Sequence, residues 1–185
     1  MANEFRYAIR VNQKLAFARI LIKSAENFRN DQSVPTQQSI HALLDGAILQ
    51  LHDALSYLLV EIAVQTQPSI DVDYYSIKII LRQLQEQGVD NPLTREFDQL
   101  IKQDTWLRTL ISAKYDAEWL FGSGNQSSDF DFNKNENNIP YVNLDHPSSN
   151  LPSHLLLNPS INLVGQWLAN TQAIIERHRS LTVEN

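Results

Sequence analysis

The sequence predicts an all-α protein: a single-domain antiparallel helical bundle of five or six helices, with one long Asn/Ser/Pro-rich loop before the last helix. Three observations carry that reading. Apolar residues recur at three- and four-residue intervals, no stretch of useful length alternates as a strand would, and proline, glycine and asparagine punctuate the periodic runs. A chain of 185 residues has the size of one domain, 1–185, and a domain of that size buries roughly 70% of the surface its unfolded chain exposes.

Tyr7, Val11, Leu15, Ala18, Ile22 and Ala25 lie on one face of a helix from about residue 4 to residue 29. Pro35 biases Val34 away from helical geometry, Thr36 can cap the next helix, and this second helix runs to Thr66, with Pro68 ending it. Its apolar centre is Leu44, Ala47, Leu51, Leu55, Leu58 and Ile62. Asp71 or Asp73 is the expected cap of a third helix, in which Tyr74, Ile77, Ile80, Leu81 and Leu84 share a face and Gly88 supplies the left-handed stop. Asn91 and Pro92 signal the next start, because proline at the first helical position has no amide to leave unpaired. Leu93, Phe97, Leu100 and Ile101 form a short stripe. Trp106, Leu107, Leu110, Ile111, Ala113, Ala117 and Leu120 continue it after Gln103-Asp104-Thr105, as two helices in tandem or one bent helix. The helical period disappears over the loop 122–158. Pro159 then opens a closing helix, 159–179, with Ile161, Val164, Leu168, Ile175 and His178 on one face.

Composition removes several function classes. The chain has no cysteine, so disulfides, thiolate metal sites and a cysteine nucleophile are excluded. The first residues have no apolar signal core, and no stretch approaches the roughly 18 uninterrupted apolar residues of a membrane span; a cytoplasmic protein with no membrane partner is the expectation. A net charge of −6 disfavours non-specific attraction to nucleic acid. The charge is uneven, however. Residues 1–30 carry Arg6, Arg10, Lys14, Arg19, Lys23 and Arg29 against Glu4 and Glu26, a sum of +4, and the rest of the chain carries −10. These cations scatter around the helix, which favours a solvated face that pairs with acidic neighbours.

His41, Asp45 and His52 form the one polar line inside the apolar second helix. His41 and Asp45, at i and i+4, can present two ligands to one ion, but His52 lies eleven residues from His41, about 16 Å along the axis. No Glu-x-x-His or His-Glu-x-x-His motif completes a site, so the line reads as the rim of the helix, hydrogen-bonded to neighbours or solvent. No Gly-x-Ser-x-Gly elbow and no phosphate-binding glycine loop is present, and the only arginine just ahead of a histidine is Arg177 beside His178. Asp129, Asp131 and Asn133 match the first ligands of a calcium loop, which then fails at Lys134 and Pro140. Asn125 and Ser127 fit a glycosylation sequon that has no secretion signal to go with it. Trp106, Trp119 and Trp167 read as core anchors. The aromatic Phe130, Phe132 and Tyr141 stand inside a polar segment, where a purely entropic linker has no need of them, and are the expected interaction residues. They would dock on the protein's own helices or on a partner.

The stretches RVNQKLAFARILI, HALLDGAILQLHDALSYLLVEIA, DTWLRTLISAKYDA and GQWLANTQAIIERHR together cover most of the chain outside the loop. On them the chain resembles an uncharacterised gammaproteobacterial family of short all-helical proteins, catalogued as a domain of unknown function. The resemblance implies a bacterial cytoplasmic protein and an all-helical fold, and it brings no activity, cofactor or catalytic residue. The sequence reading is therefore a non-enzymatic helical protein-interaction module, with another protein as partner, a homo-oligomer left open, and no catalytic residue, cofactor or metal expected. The alternatives are a metal-dependent hydrolase or metal-binding bundle using His41, Asp45 and His52, and a nucleic-acid-associated protein using the basic first helix.

Overall fold

The computed structural model describes residues 2–30, 36–67, 76–89, 91–103, 105–122 and 159–183, and within them the side chains of 6–30, 37–67, 76–89, 91–103, 105–114 and 159–180. The described residues form six helices and no strand: α1 (Ala2–Asn30), α2 (Thr36–Thr66), α3 (Ile77–Glu86), α4 (Pro92–Lys102), α5 (Trp106–Gly122) and α6 (Ile161–Val183). The protein is all-α, as its apolar periodicity requires.

The helix ends show where local chemistry acts. Ser76 caps α3, in extended backbone with its hydroxyl accepting from the Ile79 amide at 3.3 Å, so the expected Asp71 or Asp73 cap is corrected to a residue closer to the first apolar turn. Gly88 stops α3 at φ +73°, in the left-handed region that glycine enters without steric cost. Asn91 caps α4 through its side-chain oxygen, 2.9 Å from the Leu93 amide, with Pro92 at the first helical position. The chain breaks between α4 and α5. There the Leu100 carbonyl accepts from the Thr105 hydroxyl at 2.6 Å, while the Thr105 carbonyl starts α5 by accepting from the Thr109 amide at 3.2 Å. The two helices are therefore in tandem. α6 begins at Ile161, two residues later than expected, because the Ser160 hydroxyl takes the Leu163 amide and its carbonyl the Val164 amide.

α2 is the central element, packing against α1, α3, α5 and α6. Its pairing with α1 is the most extensive. Lys14 meets Asp53 at 2.6 Å and Arg10 reaches the Tyr57 hydroxyl at 2.8 Å, so residue numbers rise on one helix as they fall on the other. A close approach sits at Gly46, where a Cβ would lie 3.3 Å from Leu21 Cδ1. α6 is likewise antiparallel to α1: Arg179 donates to Asn12 Oδ1 at 2.8 Å, and, with the Gln172 carboxamide oxygen turned toward it, the Arg19 guanidinium donates to Gln172. Arg177 ties α6 to Glu96 of α4 at 2.6 Å.

Every expected core position of α1 from Val11 to Ala25 is buried, as are the six expected on α2. Ile77, Ile80, Leu81 and Leu84, then Leu93 and Phe97, then Leu107, Leu110, Ile111 and Ala113 extend the same cluster. Trp167 is fully buried on α6, and Trp106 packs against the cluster half-buried; the Trp119 side chain lies outside the described ones. Each such aliphatic or aromatic side chain contributes roughly 1.5–3 kcal/mol on leaving water. The stretch Gln37–Thr66 has the length and hydropathy of a membrane span, yet 72% of its 18-residue window is buried inside the protein. Its apolar surface faces neighbouring helices.

Candidate functional site

The structure separates the three polar residues of α2. His41 and Asp45 are half-buried one turn apart. Burial pushes the Asp45 carboxyl above its ordinary range, and the charge of His41 opposes that shift. His52 does not sit on the rim. It is 1% exposed, which corrects the expectation of a solvated edge. The physical reason is the position of α2: helices pack on it from several directions, and from Leu51 to Ala63 only Asp53 and Tyr57 are not buried. A helical period identifies the most apolar face but not how many neighbours surround a helix.

His52 Nδ1 lies 3.5 Å from Ser56 Oγ, and the Ser56 hydroxyl donates to the His52 carbonyl at 3.0 Å. Nε2 is buried without a hydrogen-bond partner. Burial, and secondly the Lys114 ammonium of α5, push the imidazole down to about 3, so it is neutral at pH 7. Serine and histidine this close could form a nucleophile and base. Here the hydroxyl proton is engaged by its own helix, and both side chains are enclosed at 1% exposure. Among the described residues no three histidine or carboxylate side chains converge on a point that could hold a metal ion. The calcium-loop residues and the interaction candidates Phe130, Phe132 and Tyr141 lie outside the described residues.

Sequence reading missed a second polar group in the interior. Glu61 of α2 is 4% exposed, with Oε2 unpartnered; burial raises its carboxyl, and the nearby Arg179 guanidinium opposes the shift. Burial and the same guanidinium lower His178. Thr171 is fully buried with its hydroxyl unpartnered. Arg179 thus stands between a buried carboxylate on α2 and Asn12 on α1. On its outer side runs a groove of about 190 Å³ between α1 and α6, lined by Asn12, Leu15, Arg19, Gln172, Ile175, Glu176 and Arg179. The two arginines belong to opposite ends of this groove, seven residues or about 10 Å apart along each helix, with Glu176 between them. They do not converge on one small anion.

The outer face of α1 is different. Ile9, Phe17 and Ile20 are 51%, 44% and 60% exposed and are the exposed large apolar side chains of the described residues. On a helical projection Ile9, Ala16 and Ile20 fall within about 20° of one line, directly opposite the buried Val11, Leu15, Ala18 and Ile22, and Phe17 stands beside them. Cations flank the row on both sides. Arg10, with its guanidinium 5.3 Å over the Tyr57 ring, lies toward α2 with Arg6, and Arg19, against Gln172, lies toward α6 with Lys23. This face was readable in the sequence as a second apolar row seven and four residues apart. A search for the face that builds the core passes over it.

Fold and surface together define an all-helical protein that displays an apolar, cation-flanked helix face and encloses a few polar groups, His52, Ser56, Glu61 and Thr171 among them. The chain belongs to the family of unknown function DUF6586, whose model matches residues 6–184. No curated protein and no solved structure matches it.

Proposed function

We propose that the chain is a helical protein-interaction module, not an enzyme, and that the outer face of α1 is its contact surface. The observation that supports this is the placement of Ile9, Phe17 and Ile20: three large apolar side chains left to water along one helix, among cations, in a protein whose other described large apolar side chains are buried or half-buried. Isolated exposed apolar residues need no explanation, but a row of them marks a binding surface. We assign Phe130, Phe132 and Tyr141 a supporting contact role on the strength of their aromatic character within a polar segment.

A photo-crosslinking residue at position 20, in cells that express the protein, tests the reading, with a second at the exposed position 82 of α3 as control. A discrete protein adduct from position 20 and none from 82 is expected. Equal labelling from both positions, or adducts that disappear on nuclease treatment, would replace this reading, the latter with the nucleic-acid alternative. The same crosslinker at 130 asks whether the aromatic segment shares the partner.

A further inference from the structure

We infer that the partner lays an acidic amphipathic helix along the outer face of α1. The inference rests on the reading of that face as a contact surface and adds the chemistry of what covers it. Ile9, Gln13, Ala16 and Ile20 recur at a 4, 3, 4 spacing and are all exposed. That is the 3.5-residue period of a seam between two packed helices, whereas the buried face of the same helix serves the protein's own core. The seam spans about 16 Å from Ile9 to Ile20, roughly three turns, which is enough for a partner helix to dock three or four apolar side chains.

The flanks choose the partner's charge. Arg6 and Arg10 border the row on the α2 side and Arg19 and Lys23 on the α6 side, while Glu26 is the opposing charge among the described side chains of α1. A partner helix therefore meets cations along both edges of its apolar stripe, the positions where charge pairs fix the choice of partner in two-helix packing. Carboxylates at those edges are attracted. A second copy of this chain would instead place the same four cations against four, so the face is unsuited to pairing with itself. A bilayer surface offers negative charge, but it favours a broad apolar face, and this row offers two large side chains, Ile9 and Ile20, with Phe17 beside it among the cations.

The full chain can be titrated with two synthetic four-heptad peptides, leucine at both seam positions and either glutamate or lysine at both edges; each repels itself and stays available. Anisotropy is expected to show the glutamate peptide binding at least tenfold more tightly than the lysine peptide, and weakening at least tenfold between 50 and 500 mM salt. Ile9→Gln with Ile20→Gln should lower the affinity tenfold or more at unchanged helical circular dichroism. Arg6→Glu with Lys23→Glu should shift the preference toward the lysine peptide, an effect that a merely adhesive apolar face would not produce. The inference is overturned if the glutamate peptide fails to bind, if both peptides bind alike, if the chain dimerises through Ile20, or if phosphatidylserine vesicles capture it while the glutamate peptide does not. If the crosslinker at position 20 still traps a protein while the glutamate peptide fails, only the partner's chemistry is wrong; if both fail, the contact surface itself is lost.

Discussion

The middle of α2 and the outer row of α1 invert one another. Between Leu51 and Ala63, α2 takes an imidazole, a hydroxyl and a carboxylate out of water; between Ile9 and Ile20, α1 leaves two isoleucines and a phenylalanine in it. What separates them is their place in the fold. α2 has four packing neighbours, so nearly every side chain in its middle is enclosed whatever its chemistry. α1 lies at the surface with α2 and α6 along its flanks, so its third side meets solvent whatever its composition. Burial is decided by the number of neighbours, and the sequence then tolerates polar groups at the centre or exploits apolar ones at the edge.

The largest effect that can test this contrast is removal of an α2 core side chain. Leu55→Ala is expected to cost about 2–5 kcal/mol in chemical denaturation, while His41→Gln, half-buried, should cost well under 1 kcal/mol. A reversed order would mean that the wrong face of α2 has been taken as the core.

Acid comes next. The folded imidazole of His52 titrates at about 3 against 6.5 when unfolded, so between those values the unfolded chain binds a proton that the folded chain refuses. Stability conferred by this group is present above pH 6.5 and is lost at up to about 1.4 kcal/mol per pH unit as the pH falls toward 3. Asp45 and Glu61 act in the opposite sense, because their raised carboxyls stabilise below the ordinary carboxylate range and lose that contribution as pH rises through the folded values. Melts of wild type and His52→Leu between pH 4.5 and 8 should therefore diverge below 6.5, the variant losing the part of the slope that His52 supplies while His178, lowered in the same direction, keeps its own. Parallel curves would show that His52 is protonated in the folded state.

Backbone effects are smaller. Gly88→Ala forces a Cβ into the left-handed region at φ +73° and is expected to cost about 1 kcal/mol, although no atom stands in the way. The smallest change is expected at the outer row: Ile20→Gln should move stability by no more than about 0.5 kcal/mol, since that side chain is 60% exposed, while partner capture is lost. A large destabilisation there would erase the distinction between the two helices.

The elements were largely legible from residues that act locally. Gly88, Asn91 and Pro92 do in the structure what their chemistry announces, and the rows Val11–Ala25 and Leu44–Ile62 point inward as their spacing requires. The outcomes that could not be read depend on distant chain. Nothing around His52 announces Lys114, sixty-two residues away, and nothing around Glu61 announces Arg179. The α3 cap falls at Ser76 and not at the expected Asp71 or Asp73 because serine and aspartate are equivalent N-caps in isolation, so residue type alone does not choose between them.

The attachment of α6 has a consequence for how the chain could be cut. Trp167, Thr171, Ile174 and Ile175 are buried, and polar contacts tie the helix to α1 and α4. Its position is thus specified by side chains of four other helices, α1, α2, α4 and α5, and residues 123–158 join it to α5. A missing peptide bond in that stretch should then be tolerated, so that two separately encoded pieces, 1–124 and 157–185, assemble when expressed together and copurify. Trp167→Ala in the shorter piece, at about 3–5 kcal/mol of lost packing, should weaken that assembly by a hundredfold or more. The last helix would in that sense be a ligand of the first five, one that the gene delivers already attached.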